Sequence, residues 1–214
     1  MPIEPASQSV RAVQLLRQQG MVRLSEFTKV SITAATIARM EQRGEVVKLG
    51  RGLYQLADAA PGLHHELAHV AKLVPSGVIC LVSALAFHDL TDTLPSRIWI
   101  AIGAKDRKPR IERPALQVVR FSAAMLQDDI ERHSIEGVSV PITTPAKTVV
   151  DLFRYRASAG RRYQKSPGLN LALEGLRQTL RQRKATPAEI ARLADKAGIW
   201  KVVQPYLEAM TAHG

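Results

Sequence analysis

The chain has 214 residues, of which 46% are hydrophobic, so it fits one large or two small domains, supplies a core and excludes wholesale disorder. Its single cysteine, Cys80, excludes a disulfide framework; no run of about 18 apolar residues and no N-terminal apolar signal core occur, so a cytoplasmic protein without a membrane span is expected. Thirty Lys and Arg against 19 Asp and Glu give a formal charge of +11, which favours a polyanionic partner over an acidic surface's usual ligands.

Val10, Val13, Leu15 and Leu16 form an apolar stripe that predicts a first helix ending at Gly20. Leu24, Phe27 and Val30 continue the period through a short second helix, with Ser25 as a cap. Thr33 reads as the N-cap of a third helix that stops at Gly44. Ile32, Ile37 and Met40 would face its core, and Ala35, Arg39 and Gln42 would face outward. Residues 45–49 and 53–56 then alternate polar and apolar around Gly50-Arg51-Gly52, as two strands of a hairpin do. Three helices followed by a basic hairpin are the layout of a winged helix-turn-helix. A helix fits the major groove, where outward side chains meet base edges, and the hairpin tip would bring Lys48 and Arg51 to phosphates.

Residues 58–62 read as a linker, dividing the chain into a DNA-binding domain over 1–58 and a second domain over 62–214. The second begins with a helix over 63–73 stopped by Pro75, a strand-like stretch at 78–81 and a helical one at 83–88. Strands are predicted at 98–102 and 116–121, with a basic loop at 105–110 between them, and a turn at Glu136-Gly137 leads into residues 138–140. Pro145 opens a helix carrying Val149, Leu152 and Phe153 on one stripe. Residues 154–167 read as a basic connection, and 169–180 as a helix with Leu169, Leu173, Leu176 and Leu180 in the core. Thr186-Pro187-Ala188-Glu189 is a capping box that starts another helix. The fold class is therefore α+β: an N-terminal winged helix-turn-helix and a C-terminal mixed α/β domain ending in helices.

The charge is unevenly spread. Residues 1–60 carry net +3, residues 61–144 net zero and residues 145–214 net +8. Within the last segment Arg154, Arg156, Arg161, Arg162 and Lys165 interleave with Tyr155 and Tyr163, a combination suited to nucleic-acid backbone and stacking contacts as well as to a solvated loop. Arg177, Arg181 and Lys184 add a basic stripe along one helix.

Several motifs suggest enzymes. His65-Glu66-Leu67-Ala68-His69 has the H-E-x-x-H spacing of zinc hydrolases, but no G-x-x-H extension supplies a third ligand. An exposed helix face, or incidental zinc capture with His64, is the plainer reading. Ser83, His88 and Asp89 or Asp92 have the residue types of a hydrolase triad without a G-x-S-x-G elbow. Asp128, Asp129 and Glu131 have the types of a metal-dependent nuclease, but no Glu-x-Lys strand motif accompanies them and a solvated acidic loop is the plainer reading. Lys147 and Asp151, four apart, read as an exposed helical ion pair. No catalytic residue, metal ligand set or cofactor is expected from these.

Three stretches together resemble the AbiEi-type antitoxins of type IV toxin–antitoxin systems: the hairpin over 44–56, the segment over 79–91 with Pro95 and the strand after it, and residues 142–153. The resemblance spans about residues 10–155. It implies a non-enzymatic, bifunctional regulator. Its winged helix would repress its own operon at inverted repeats in the promoter, which calls for two copies on double-stranded DNA. Its C-terminal domain would neutralise a nucleotidyltransferase-like toxin, with or without a stable complex. A stand-alone regulator without a toxin is the first alternative, and the zinc hydrolase at His65 and His69 the alternative of another class. The residues expected at DNA are Thr33, Ala35, Thr36, Arg39, Gln42, Arg43, Lys48, Arg51 and Tyr54. Ala34, Ala35 and Ala38 offer no hydrogen bonds, so specificity would lean on the few polar neighbours and on DNA shape.

Overall fold

The computed structural model describes residues 7–155 and 167–212. By compactness the chain divides into two units, Met1–Pro75 with His133–Val140, and Ser76–Arg132 with Pro141–Gly214. Residues 58–62 thus lie within the first unit.

The first unit runs α1 (Gln8–Gln19), β1 (Met21–Arg23), α2 (Leu24–Lys29), α3 (Ala34–Gln42), β2 (Val46–Gly50), β3 (Leu53–Leu56) and α4 (His65–Leu73). Ser7 Oγ accepts from Val10 N at 3.3 Å and Thr33 Oγ1 from Thr36 N at 3.2 Å, so each cap satisfies a donor that its helix leaves open. The three strands are antiparallel in the order β1-β3-β2, which makes β3 the central strand. That centrality explains why Leu53, Tyr54 and Gln55 are all buried although the sequence alternates. Tyr54, expected at DNA, is 7% exposed and belongs to the core. Its ring lies edge-on to Phe27 at 6.5 Å, among Leu16, Val22, Ile37 and Met40. Tyr54 is therefore a packing residue.

Gly137, at φ +76°, needs its missing Cβ. A side chain there would lie 2.5 Å from Gln18 O at the end of α1.

The second unit contains β4 (Val78–Ile79), α5 (Leu81–Phe87), β5 (Ile98–Gly103), β6 (Leu116–Phe121) and α6 (Ala123–Gln127). The strands β7 (Ile130–Ile135) and β8 (Val138–Thr143) follow; the outer part of their hairpin, residues 133–140, clusters with the first unit. The helices α7 (Pro145–Tyr155), α8 (Leu169–Arg181), α9 (Pro187–Lys196) and α10 (Trp200–Thr211) complete the chain. The sheet is mixed, in the order β6-β5-β4-β8-β7, with β5–β6 and β4–β8 parallel and β4–β5 antiparallel. The mixed α+β fold follows expectation. α6, β7 and α10 were not anticipated; Asp128 and Asp129 form the turn between α6 and β7, in keeping with the expected loop, while Glu131 lies in β7.

α7 is the hub of this unit, packing against α5, α8, α9 and α10. Val149, Leu152 and Phe153 are buried as the stripe predicts. On α8, Ala172, Gly175, Leu176 and Thr179 face the core, while Leu169, Leu173 and Leu180 are only partly covered. Gly175 allows close approach: a Cβ would sit 2.7 Å from Leu85 Cδ1. The capping box of α9 forms, with Glu189 N donating to Thr186 Oγ1 at 3.2 Å and Thr186 N to Glu189 Oε2 at 2.7 Å.

Candidate nucleic-acid interface

α3 is held at both of its approaches. Gln8 Oε1, on the first turn of α1, accepts from Thr33 N at 3.0 Å, Thr33 Oγ1 at 3.2 Å and Thr36 Oγ1 at 2.8 Å. Arg11 donates to Val30 O at 3.3 Å and Ser31 O at 3.0 Å, bracing the turn between α2 and α3, where Ser31 adopts φ +59°. Ile32, Ile37 and Met40 anchor the inner face. The residues left outside include Thr33, Ala35, Arg39, Gln42 and Arg43, with Ala34, Ala38 and Glu41 also exposed.

Thr36 is not among them. It is 4% exposed, and its hydroxyl is engaged by Gln8 and lies 3.0 Å from Thr33 Oγ1, so it positions the start of α3 rather than meeting base edges. Thr33 is exposed, but its hydroxyl serves as the cap. Arg43 is exposed with Nε 2.6 Å from Glu45 Oε1, so any phosphate must compete with that carboxylate. Among the described residues Arg39 makes two long contacts, to Ala35 O and Thr36 Oγ1 at 3.4 Å each, which leaves its guanidinium available to a partner.

The hairpin presents Lys48 and Arg51 to solvent. A register shift between Lys48 and Gly50 and the positive φ of Gly52, +65°, shape its end. Beneath, Lys72 Nζ of α4 bonds Glu26 of α2 at 3.1 Å, Glu26 Oε2 accepts from Arg23 N at 2.6 Å, and the Arg23 guanidinium donates to Lys72 O. Sequence reasoning passed over Gln8, Arg11, Glu26 and Lys72. Their polar character at helix ends was visible, but their partners lie far along the chain.

The expected basic surface of the second unit is only partly assembled. Arg177 and Arg181 are exposed one turn apart on α8. Lys184 instead donates to His88 O at 2.6 Å and lies 3.9 Å from Asp89, so it ties the end of α8 to that of α5. Arg154 is exposed, its Nη1 3.2 Å from Met125 Sδ. Arg156, Arg161, Arg162 and Lys165 lie outside the described residues.

The enzymatic motifs do not assemble. Among the described residues no group of three His, Cys, Asp or Glu is placed to hold a metal ion. His65 Nδ1 pairs with Glu136 Oε2 at 2.8 Å, and His69 is buried, which pushes its pKa down, with the nearby His65 adding to the effect. Ser83 Oγ accepts from Trp99 N at 2.9 Å and His88 Nε2 lies 2.8 Å from Thr143 O, so both are built into the fold. Asp128 and Asp129 pair with Lys196 at 2.7 Å and Arg192 at 3.2 Å.

The reading of Lys147 and Asp151 as an exposed pair is corrected. They are 7% and 2% exposed, with Nζ 3.2 Å from Oδ2. Burial raises the Asp151 carboxyl to about 6 despite Lys147 beside it, and burial with the Asp151 charge pushes the Cys80 thiol up.

The fold and this outward face define the class: an α+β protein whose N-terminal unit presents a helix and a basic hairpin side by side. Residues 10–57 match the family described as "Transcriptional regulator, AbiEi antitoxin", a stretch that runs from within α1 to the end of β3. That match bears out the family resemblance over these residues. The whole fold is similar to the crystal structure of RV2827C protein from Mycobacterium tuberculosis, at a TM-score of 0.61 and 15% identity, covering 98% of this chain and 79% of that one. No curated protein matches the sequence. Among the described residues no helix is long and apolar enough to cross a membrane.

Proposed function

We propose that the protein is a DNA-binding transcriptional regulator of the AbiEi antitoxin type, with a winged helix-turn-helix over its first unit. The observation that carries this reading is the exposed row Ala35, Arg39 and Gln42 on α3 beside Lys48 and Arg51 on the hairpin, within the segment that matches the regulator family. α3, of nine residues, is about 13 Å long, enough to lay its exposed row along a few base pairs of a major groove. In that pose Arg39 suits a guanine edge, Gln42 an adenine edge and Ala35 a thymine methyl. Lys48 and Arg51 contact phosphates, Arg43 adds a weaker backbone contact, and Thr33 lies at the entry to the groove. The operator is an inverted repeat in the protein's own promoter, bound by two copies. No catalytic group takes part.

The antitoxin half of the function belongs to the second unit, whose exposed Arg177 and Arg181 offer a cationic face to an acidic toxin or to the nucleic acid that a nucleotidyltransferase-like toxin would modify. DNase I footprinting on the region upstream of the gene tests the repressor: a protected inverted repeat is expected, and absence of protection at low salt refutes it. Co-expression with a neighbouring nucleotidyltransferase gene tests the antitoxin. Full-length protein should restore growth and the Arg177→Glu/Arg181→Glu variant should not.

A further inference from the structure

Residues 61–144 are neutral overall, yet the connection between β5 and β6, residues 104–115, carries Lys105, Arg107, Lys108, Arg110 and Arg113 against Asp106 and Glu112. β5 and β6 are parallel and in line, Ile98 opposite Leu116 and Gly103 opposite Phe121. Their connection must therefore travel back along the whole strand, about 17 Å at roughly 3.3 Å per residue. Trp99, Ala101, Val119 and Phe121 pack into the core with the helices, so Arg120, between the last two, points to the opposite face of the sheet. There its Nη1 donates to Gly103 O at 2.8 Å and to Ala104 O and Asp106 O at 2.9 Å each. Asp106 Oδ2 accepts from Gly103 N at 2.9 Å. These bonds start the connection on that face. Pro109 and Ile111 are half-buried along it, and the five cations are exposed. None of the five makes a side-chain hydrogen bond or an ion pair with a described residue.

Five unpaired cations along one run of chain repel one another until an anion lies over them. Residues 104–115 form neither helix nor strand that could enter a groove, so they suit backbone phosphates rather than base edges. A duplex fits such a row poorly. About 17 Å of B-DNA axis is about five base pairs, half a helical turn, over which each strand winds to the far side. A single strand can straighten and set a phosphate at each cation in turn. We propose that residues 104–115 form a sequence-independent site for single-stranded nucleic acid, held through its phosphates by Lys105, Arg107, Lys108, Arg110 and Arg113. This target differs from the duplex assigned to the first unit, and the site does not depend on that assignment.

Fluorescence anisotropy of the full-length protein with labelled oligothymidylate and oligouridylate of about 12 nucleotides tests the proposal. Both should bind alike, with log K falling against log salt at a slope of about −3.5, five phosphate contacts at about 0.7 each. Arg107→Ala/Arg110→Ala should lower that slope by about 1.4 and weaken both oligonucleotides at least about tenfold. Arg107→Lys/Arg110→Lys, which keeps the charge, should retain most of the affinity. Neither variant should shift the thermal unfolding midpoint or the binding of duplex promoter DNA. Arg51→Ala should do the reverse, weakening the duplex and sparing the oligonucleotides. No oligonucleotide binding, unchanged affinity and slope in Arg107→Ala/Arg110→Ala, or an equal loss of duplex binding in that variant would each overturn the proposal. Oligonucleotide binding that persists beside a protein indifferent to its promoter would refute the repressor reading and leave this site standing.

Discussion

Arg39 and Arg51 are two exposed arginines with different expected jobs. Arg39 lies on the outer face of α3, so Arg39→Ala should cost about 1–3 kcal/mol on the preferred sequence and relax preference at one base position. Arg51 projects from the hairpin turn, so Arg51→Ala should weaken binding to every sequence alike and lower the salt slope by about 1. Binding to an operator series at several salt concentrations distinguishes them. Thr36 and Tyr54, both buried, should act on stability alone. Tyr54→Ala should cost about 3–5 kcal/mol in urea unfolding, whereas Tyr54→Phe should leave DNA affinity unchanged. Asp151 makes a pH prediction. Its folded carboxyl holds a proton up to about pH 6, against an ordinary value of 3.8 that the unfolded chain keeps. The folded state then binds more protons between these values, and stability falls as pH rises from 4 to 6, by up to about 3 kcal/mol from this group. Asp151→Asn should flatten that part of the stability profile, and an unchanged slope would show that Asp151 titrates normally.

At the scale of elements, the strongly patterned pieces were legible. α1, α3, the β2–β3 hairpin, β5, β6 and α7 all lie where periodicity and punctuation put them. Misreadings came from context. β1 has only three residues, too few for alternation to register, yet by pairing with β3 it turns a two-stranded hairpin into a sheet and moves Tyr54 inside. β7, with Glu131, Arg132 and His133 in succession, looks like a loop until its pairing partner β8 is known. Lys147 and Asp151 have the spacing of an exposed pair, and only the helices packed around α7 reveal them as buried. The outward row of α3 was readable from helical spacing, apart from Thr36, whose hydroxyl is satisfied by Gln8 from another helix. Gly175 tests the helix packing directly. Gly175→Val should push α8 off Leu85 and cost about 2–3 kcal/mol, detectable as a lower midpoint of thermal unfolding.

Across the whole molecule, the +11 charge divides by role rather than acting as one field. The first 60 residues hold net +3, which supports a few focused phosphate contacts. In the last 70, several cations are spent within the fold: Lys147 on Asp151, Arg192 on Asp129, Lys196 on Asp128 and Lys184 on the end of α5. The nominal +8 of that segment therefore overstates what Arg177, Arg181 and their neighbours present to a partner. On this account, DNA affinity should depend mainly on the first unit, and the Arg177→Glu/Arg181→Glu variant should keep the operator affinity of the parent while losing toxin neutralisation. The central claim is that α3 and the hairpin together bind the protein's own promoter. Quantitative DNase I footprinting of that promoter with the parent, Arg39→Ala and Arg51→Ala tests it most directly. The account predicts a protected inverted repeat, lost selectivity with Arg39→Ala and uniformly weaker protection with Arg51→Ala; protection unchanged in both variants would contradict it.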